Sequence, residues 1–266
     1  MKLQRIFALV LALAVVIMAQ CMQVFAEGEG VQVYVTIAKG EVALAQEAVT
    51  VTDADSDGVL SISDALYAAH EARYDGGAAA GYGCAMTDYG LSMTKLWGVD
   101  NGGSYGYYVN NASPMSLADP VSEGDYITAY AFTDLTAWSD TYSYFDVNTA
   151  EVEAGQTVTL TLSAAGYDES WNPVNLPVEG ASIIVNGADT GVVTDTEGKA
   201  TVTITAEGRS VISAASSTQT LVPPVCIVTV PETQISAGVP GYVWVIGGTV
   251  AVAAIAIILA VNKERK

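Results

Sequence analysis

The stretch Val31-Gln32-Val33-Tyr34-Val35-Thr36-Ile37 decides the fold class. Val31, Val33, Val35 and Ile37 alternate with Gln32, Tyr34 and Thr36, the period of two that marks a half-buried strand. Val49 and Val51 resume the pattern after a short Ala/Glu-rich stretch. Further strand-like runs cover Leu91 to Trp97, Gly106 to Asn110, Tyr126 to Phe132 and Tyr142 to Phe145. Turn residues separate them, among them Asp100-Asn101-Gly102-Gly103 and Glu123-Gly124-Asp125. One helical segment follows an acidic loop and runs to about Tyr74. Gly76, Gly77, Gly81 and Gly83, interleaved with alanines, read as a flexible connection. Residues 27–146 are thus predicted to form a β-rich α+β head with one helix.

Composition shifts near Asp146, where aromatics thin out and Thr/Val alternation takes over. Val158, Leu160 and Leu162 alternate with threonines, as do Val202 and Ile204, and Asp195-Thr196-Glu197-Gly198 is a good hairpin turn. Ile183 to Val185, Val211 to Ala214 and Val225 to Val230 add strands. Short strands at this regular spacing predict an immunoglobulin-like β-sandwich over 147–231. The whole chain is predicted to be mainly β, with a polar linker at 232–241 and one C-terminal transmembrane helix.

Both ends are apolar. Lys2 and Arg5 precede the run Ile6 to Met18, and Val24-Phe25-Ala26 supplies a small-residue cleavage site, so residues 1–26 read as a secretory signal peptide. Tyr242 to Val261 carries no charge and is long enough, at about 30 Å as a helix, to match the hydrocarbon core. Lys263, Arg265 and Lys266 follow it. Basic flanks stay cytoplasmic, which predicts a single-pass cell-membrane protein with an extracellular ectodomain and a cytoplasmic tail at 262–266.

The 266 residues carry 29 acids against ten bases, a formal charge of −19, with a mean hydropathy of +0.35. Between Glu27 and Gly241 lie 28 of the acids and five of the bases, a net of −23. Such a surface repels phosphate backbones, so no nucleic-acid partner is expected. Cys84 and Cys226 fall in different regions and are expected as two buried free thiols. His70, the single histidine, is expected on a solvent-facing side of its helix.

Asp53-Ala54-Asp55-Ser56-Asp57-Gly58-Val59-Leu60-Ser61-Ile62-Ser63-Asp64 fits the spacing of an EF-hand calcium loop. Asp53, Asp55 and Asp57 stand at positions 1, 3 and 5. Gly58 permits the sharp turn at position 6, and the Val59 carbonyl serves position 7. Ser61 can hold a water at position 9, and Asp64 closes the loop at position 12. Ca²⁺ takes six to eight oxygens, and this spacing aims that many at one point. The strand before the loop, the Asp at position 12 and the lack of a second loop make it dockerin-like. A weak extracellular affinity follows, roughly 10⁻⁴ to 10⁻³ M.

Lys95-Leu96-Trp97-Gly98, Gly106-Tyr107-Tyr108-Val109-Asn110-Asn111 and Val121-Ser122-Glu123-Gly124-Asp125-Tyr126-Ile127 resemble the transcobalamin-like C-terminal domain family of secreted bacterial proteins. The resemblance covers roughly Val31 to Asp146. It implies a mainly β fold with a helix after the second strand, and a small β-domain of the kind that closes over a corrin in the vertebrate carriers. In those carriers a helical domain forms the other half of the cobalamin site. On this resemblance Trp97, Tyr107, Tyr108 and Asn110 are the candidate ligand-binding positions. Residues 177–214 are similar to bacterial Ig-like stalk domains.

No nucleophile with an orienting base, zinc ligand set or phosphate-cradling glycine loop is apparent, so an enzyme is not expected. The expected function is a membrane-anchored, calcium-binding surface protein whose head takes an external ligand, a corrinoid or a glycan. The alternative is a structural or adhesive cell-envelope protein that binds another protein, with calcium purely structural.

Overall fold

A computed structural model describes residues 30–170 and 172–231. In the first region β1 (Val31–Ala38) pairs antiparallel with β2 (Val42–Val51) and parallel with β6 (Tyr126–Ala131), and β5 (Tyr105–Val109) lies on the far side of β6. The sheet order is β2-β1-β6-β5. The alternation along β1 sorts its side chains: Val33, Val35 and Ile37 are fully buried in the head core with Val49, Val51, Ile127 and Ala129. Helix α1 (Ile62–Arg73) lays Ile62, Ala65, Leu66 and Ala69 on that same core, at the spacing of one helical face.

Residues 76–83 form structure rather than a flexible connection. Gly76 takes φ +83 and starts the short helix α2 (Gly77–Gly81), after which β3 (Gly83–Thr87) and β4 (Gly90–Lys95) make a separate hairpin. A side chain at Gly81 would run into the Tyr74 ring, so the glycine sits where two helical ends meet closely. Among its described residues the head therefore carries two helices, not one.

The back of the first sheet is aromatic. Tyr34 stacks on Tyr126 with ring centroids 4.8 Å apart, and Tyr108 stacks on Tyr142 at 3.6 Å and 5°. Tyr142 belongs to β7 (Thr141–Phe145), which the sequence groups with the head. It is instead hydrogen-bonded between β9 (Thr157–Tyr167) and β15 (Leu221–Val222) of the second region. Asp140, buried just before β7, accepts from the Thr133 N–H and hydroxyl and from the Asp134 N–H, which fixes the connection.

The second region holds two five-stranded sheets. One has β10 (Pro173–Pro177), β9, β7 and β15 in order, with β13 (Lys199–Thr203) also paired to β9. The other runs β12 (Ala188–Val193), β11 (Ser182–Val185), β14 (Gly208–Ala215), β16 (Cys226–Val230) and β8 (Thr149–Glu151). Val158, Leu160 and Leu162 of β9 meet Ile183, Ile212 and Val228 of the second sheet in one core.

Two expectations are corrected here. The chain is a mixed α+β protein, mostly β, rather than the mainly β class expected, and the Ig-like sandwich expected over 147–231 is replaced by two open sheets that also take in β7 from the head side, with β10, β12, β15 and β8 among their edges. No helix among the described residues is long and apolar enough to cross a membrane. The span expected at Tyr242–Val261 lies outside the described residues, as do the signal peptide at 1–26, the linker at 232–241 and the tail at 262–266. The membrane anchor, the single-pass cell-membrane location and the membrane as a partner therefore find no support among the described residues.

Candidate metal site

The acidic loop joins β2 to α1, and its backbone is shaped by its own carboxylates. Asp53 accepts from the N–H of Asp57 at 3.1 Å and of Gly58 at 2.9 Å. Asp55 accepts from the Asp57 N–H at 3.2 Å, and Asp57 from the Val59 N–H at 2.8 Å. Folding the chain this tightly needs left-handed backbone at Ser56 (φ +63) and Gly58 (φ +89), and glycine adopts that conformation without steric cost.

The outcome is that Asp53, Asp55 and Asp57 each bring a carboxylate oxygen within 4.8 Å of the others. Asp53 is half-buried, and Asp55 and Asp57 are exposed. This cluster can hold a metal ion. Its donors are hard oxygens, suited to a hard cation rather than a thiophilic one. The Asp55 carboxyl is held above the ordinary carboxylate range, by partial desolvation first and then by the charges of Asp57, Asp64 and Asp53, while the Asp57 N–H pulls the other way. A bound cation would remove that repulsion.

The remaining predicted ligands are placed differently. Ser61 is the N-cap of α1: its hydroxyl accepts from the Asp64 N–H at 3.2 Å and donates to the Asp64 carboxylate at 2.6 Å. Asp64 also accepts from the Ser61 N–H at 2.9 Å, completing a capping box, and from the Ala54 N–H at 3.0 Å. Asp64 is thus buried outside the three-aspartate cluster and ties the start of the loop to its end. Val59 is exposed, whereas Leu60 packs on the head core as a position-8 residue should. The exit is stitched to a neighbouring segment by Val121 N–H to Leu60 O at 2.8 Å and Ser63 N–H to Leu117 O at 2.9 Å.

The predicted ligand-binding aromatics do not converge. Tyr107 and Tyr108 are adjacent on β5, so their side chains leave opposite faces: Tyr107 packs on the head core, and Tyr108 on Tyr142 behind the sheet. Asn110 holds a turn, donating to Asp125 at 2.8 Å and accepting from the Tyr126 N–H at 2.9 Å. Trp97, at φ +47, forms a two-residue turn with Gly98 and packs against His70 and Tyr74. The four residues do not share one surface, each having a packing or turn contact of its own, and their arrangement gives no support to an external corrinoid or glycan site.

His70 is the residue most misjudged from sequence. It is fully buried, not solvent-facing. Its Nδ1 donates to the Leu66 carbonyl at 2.6 Å, and its Nε2 accepts from the Trp97 N–H at 3.0 Å. Both ring nitrogens are used by the neutral tautomer, and burial lowers its pKa. Cys84 is likewise exposed rather than buried; Cys226 is buried, and its thiol is pushed up to about 12 by desolvation and by Asp146. Compared with protein-family models, curated proteins and solved structures, the chain matches none.

Proposed function

We propose that this is a structural or adhesive protein of the cell envelope that binds another protein, with Ca²⁺ in the Asp53–Asp57 loop acting purely as a staple. The convergence of the three carboxylates supports it most. Calcium, rather than another hard cation, is favoured by the loop spacing and by a backbone that already turns at Gly58. A staple, rather than a switch, is favoured by the surroundings: the loop's ends are tied to each other through Asp64 and to the core through Leu60. The role is non-enzymatic, and the transcobalamin-like assignment of residues 31–146 stands as a proposal of family, resting on the quoted motifs alone.

The test is an amide-resolved titration of the full chain with CaCl₂ and, separately, MgCl₂. Ca²⁺ is expected to move the Gly58 and Asp57 amides with a dissociation constant of roughly 10⁻⁴ to 10⁻³ M, and Mg²⁺ to move them less. Loop amides indifferent to calcium would remove the staple.

A further inference from the structure

Strand β2 gains a residue on β1 where the pair bulges. Val35 faces Glu47 and Ile37 faces Leu44, so Thr36 stands against both Ala45 and Gln46. Gln46 takes φ +41 there, a left-handed backbone that is strained for any residue but glycine. Two bonds hold it. Its backbone N–H donates to the buried Thr36 hydroxyl at 3.1 Å, and its side-chain Nε2 donates to the Val225 carbonyl of the second region at 2.8 Å. That carbonyl fixes which end of the carboxamide is which, because turning it over would set oxygen against oxygen. The other end is unmatched: Gln46 Oε1 is shut off from solvent, and no donor among the described residues reaches it.

Gln46 lines a cavity of about 20 Å³ in the seam between the first sheet and the second region. Thr36 and Thr128 line it from the first sheet, and Ser143, Asn148 and Val225 from the second region. The nearby hydroxyl hydrogens are already committed: Ser143 donates to the Val222 carbonyl at 2.7 Å, and Tyr142 donates to Asn111 at 2.8 Å. A buried acceptor without a donor carries its full desolvation penalty. One water needs roughly 10–15 Å³ and two to four polar partners, so this space admits one and not two. No carboxylate lines the cavity, so a cation there would keep its charge unneutralised.

We propose that this cavity binds a single, slowly exchanging water molecule that donates to Gln46 Oε1 and joins the β2 bulge to the second region. The remaining bonds of the water fall to the polar groups of Thr36, Thr128 and Asn148, which line the same space. The bulge delivers the carboxamide to the seam, where it already bridges Thr36 to Val225, and the water extends that bridge on its open side. This site is separate from the acidic loop and independent of calcium.

The experiment uses the full chain and two NMR measurements. The first is ¹⁷O relaxation dispersion of the solvent, which counts long-lived waters alone, since protein hydroxyls do not exchange their oxygen. Wild type is expected to hold one such water more than Gln46→Met, a substitution that keeps the length of the side chain and removes the acceptor. The second is a direct nuclear Overhauser contact between water and the Gln46 side-chain amide protons, expected in the wild type and read without any variant. Should Gln46→Met fail to fold, that contact decides. Equal dispersion in the wild type and the folded variant would overturn the proposal, as would a Gln46 amide with no contact to water.

Discussion

The backbone N–H of Trp97 donates to Nε2 of His70 over 3.0 Å, which pins a hairpin turn to a helix through a neutral imidazole. The ring's neighbours are Tyr74, Tyr82 and Trp97, none of them charged. Protonating Nε2 would set two donors against each other in a dry site. The folded pKa is accordingly lowered from 6.5.

Stability should follow. As pH falls below about 6.5, the unfolded chain takes up a proton that the folded chain refuses, so stability is lost with acid and is flat above. Urea midpoints at pH 8, 6.5 and 5 measure this, and His70→Gln should lower all three while flattening the difference between pH 8 and 5. The single histidine makes its NMR titration unambiguous. An ordinary or raised value would contradict the buried neutral ring.

Gly98 completes the same turn at φ +75, and a side chain there would overlap the Tyr74 hydroxyl. Gly98→Ala is expected to cost about 2 kcal/mol or more, from backbone strain and overlap together. Gly102→Ala is the control: it shares the positive φ (+78) but has open space around it, so it should cost less. Equal melting temperatures for the two variants would show that Tyr74 does not pack there.

How much of this was legible in the sequence depends on what each residue answers to. The strands around Val33 and Leu160 were readable because a period of two follows from one-sided burial. The convergence of Asp53, Asp55 and Asp57 was readable because alternate residues of one tight loop meet locally, whereas the capping box that engages Ser61 and Asp64 was not. The helix through His70 was readable, but its buried face was not: the turn that covers it comes from Trp97, 27 residues on. Likewise the Tyr-Tyr pair on β5 looked like one ligand surface, since nothing local reveals that Tyr108 would stack on Tyr142. Composition also placed β7 with the aromatic head, although its hydrogen-bond partners lie in the second region.

The Tyr108–Tyr142 stack should couple the two regions. A double-mutant cycle of Tyr108→Ala and Tyr142→Ala is expected to give a coupling of about 0.5–1.5 kcal/mol. The Tyr142 hydroxyl also donates to Asn111 at 2.8 Å, so Tyr142→Phe belongs in the series to separate ring from hydroxyl. Strictly additive losses would mean that the rings do not bear on each other.

The capping box should separate the helix from the proposed metal site. Ser61→Ala should cost about 1 kcal/mol, the usual worth of an N-cap, and leave the response to calcium intact. Asp64→Ala should cost more, because it also frees the Ala54 end of the loop. If Ser61→Ala alone abolished the calcium response, the serine would be part of the metal shell and not only the cap.

Most direct of all is a thermal melt of the full chain with 10 mM CaCl₂, with EDTA, and after Asp57→Ala. With a dissociation constant near 10⁻⁴ M, calcium should add about 2.7 kcal/mol, or several degrees in Tm. EDTA should remove that gain, and Asp57→Ala should melt alike in both. A wild-type melt indifferent to calcium and EDTA would contradict a structural calcium site in the acidic loop.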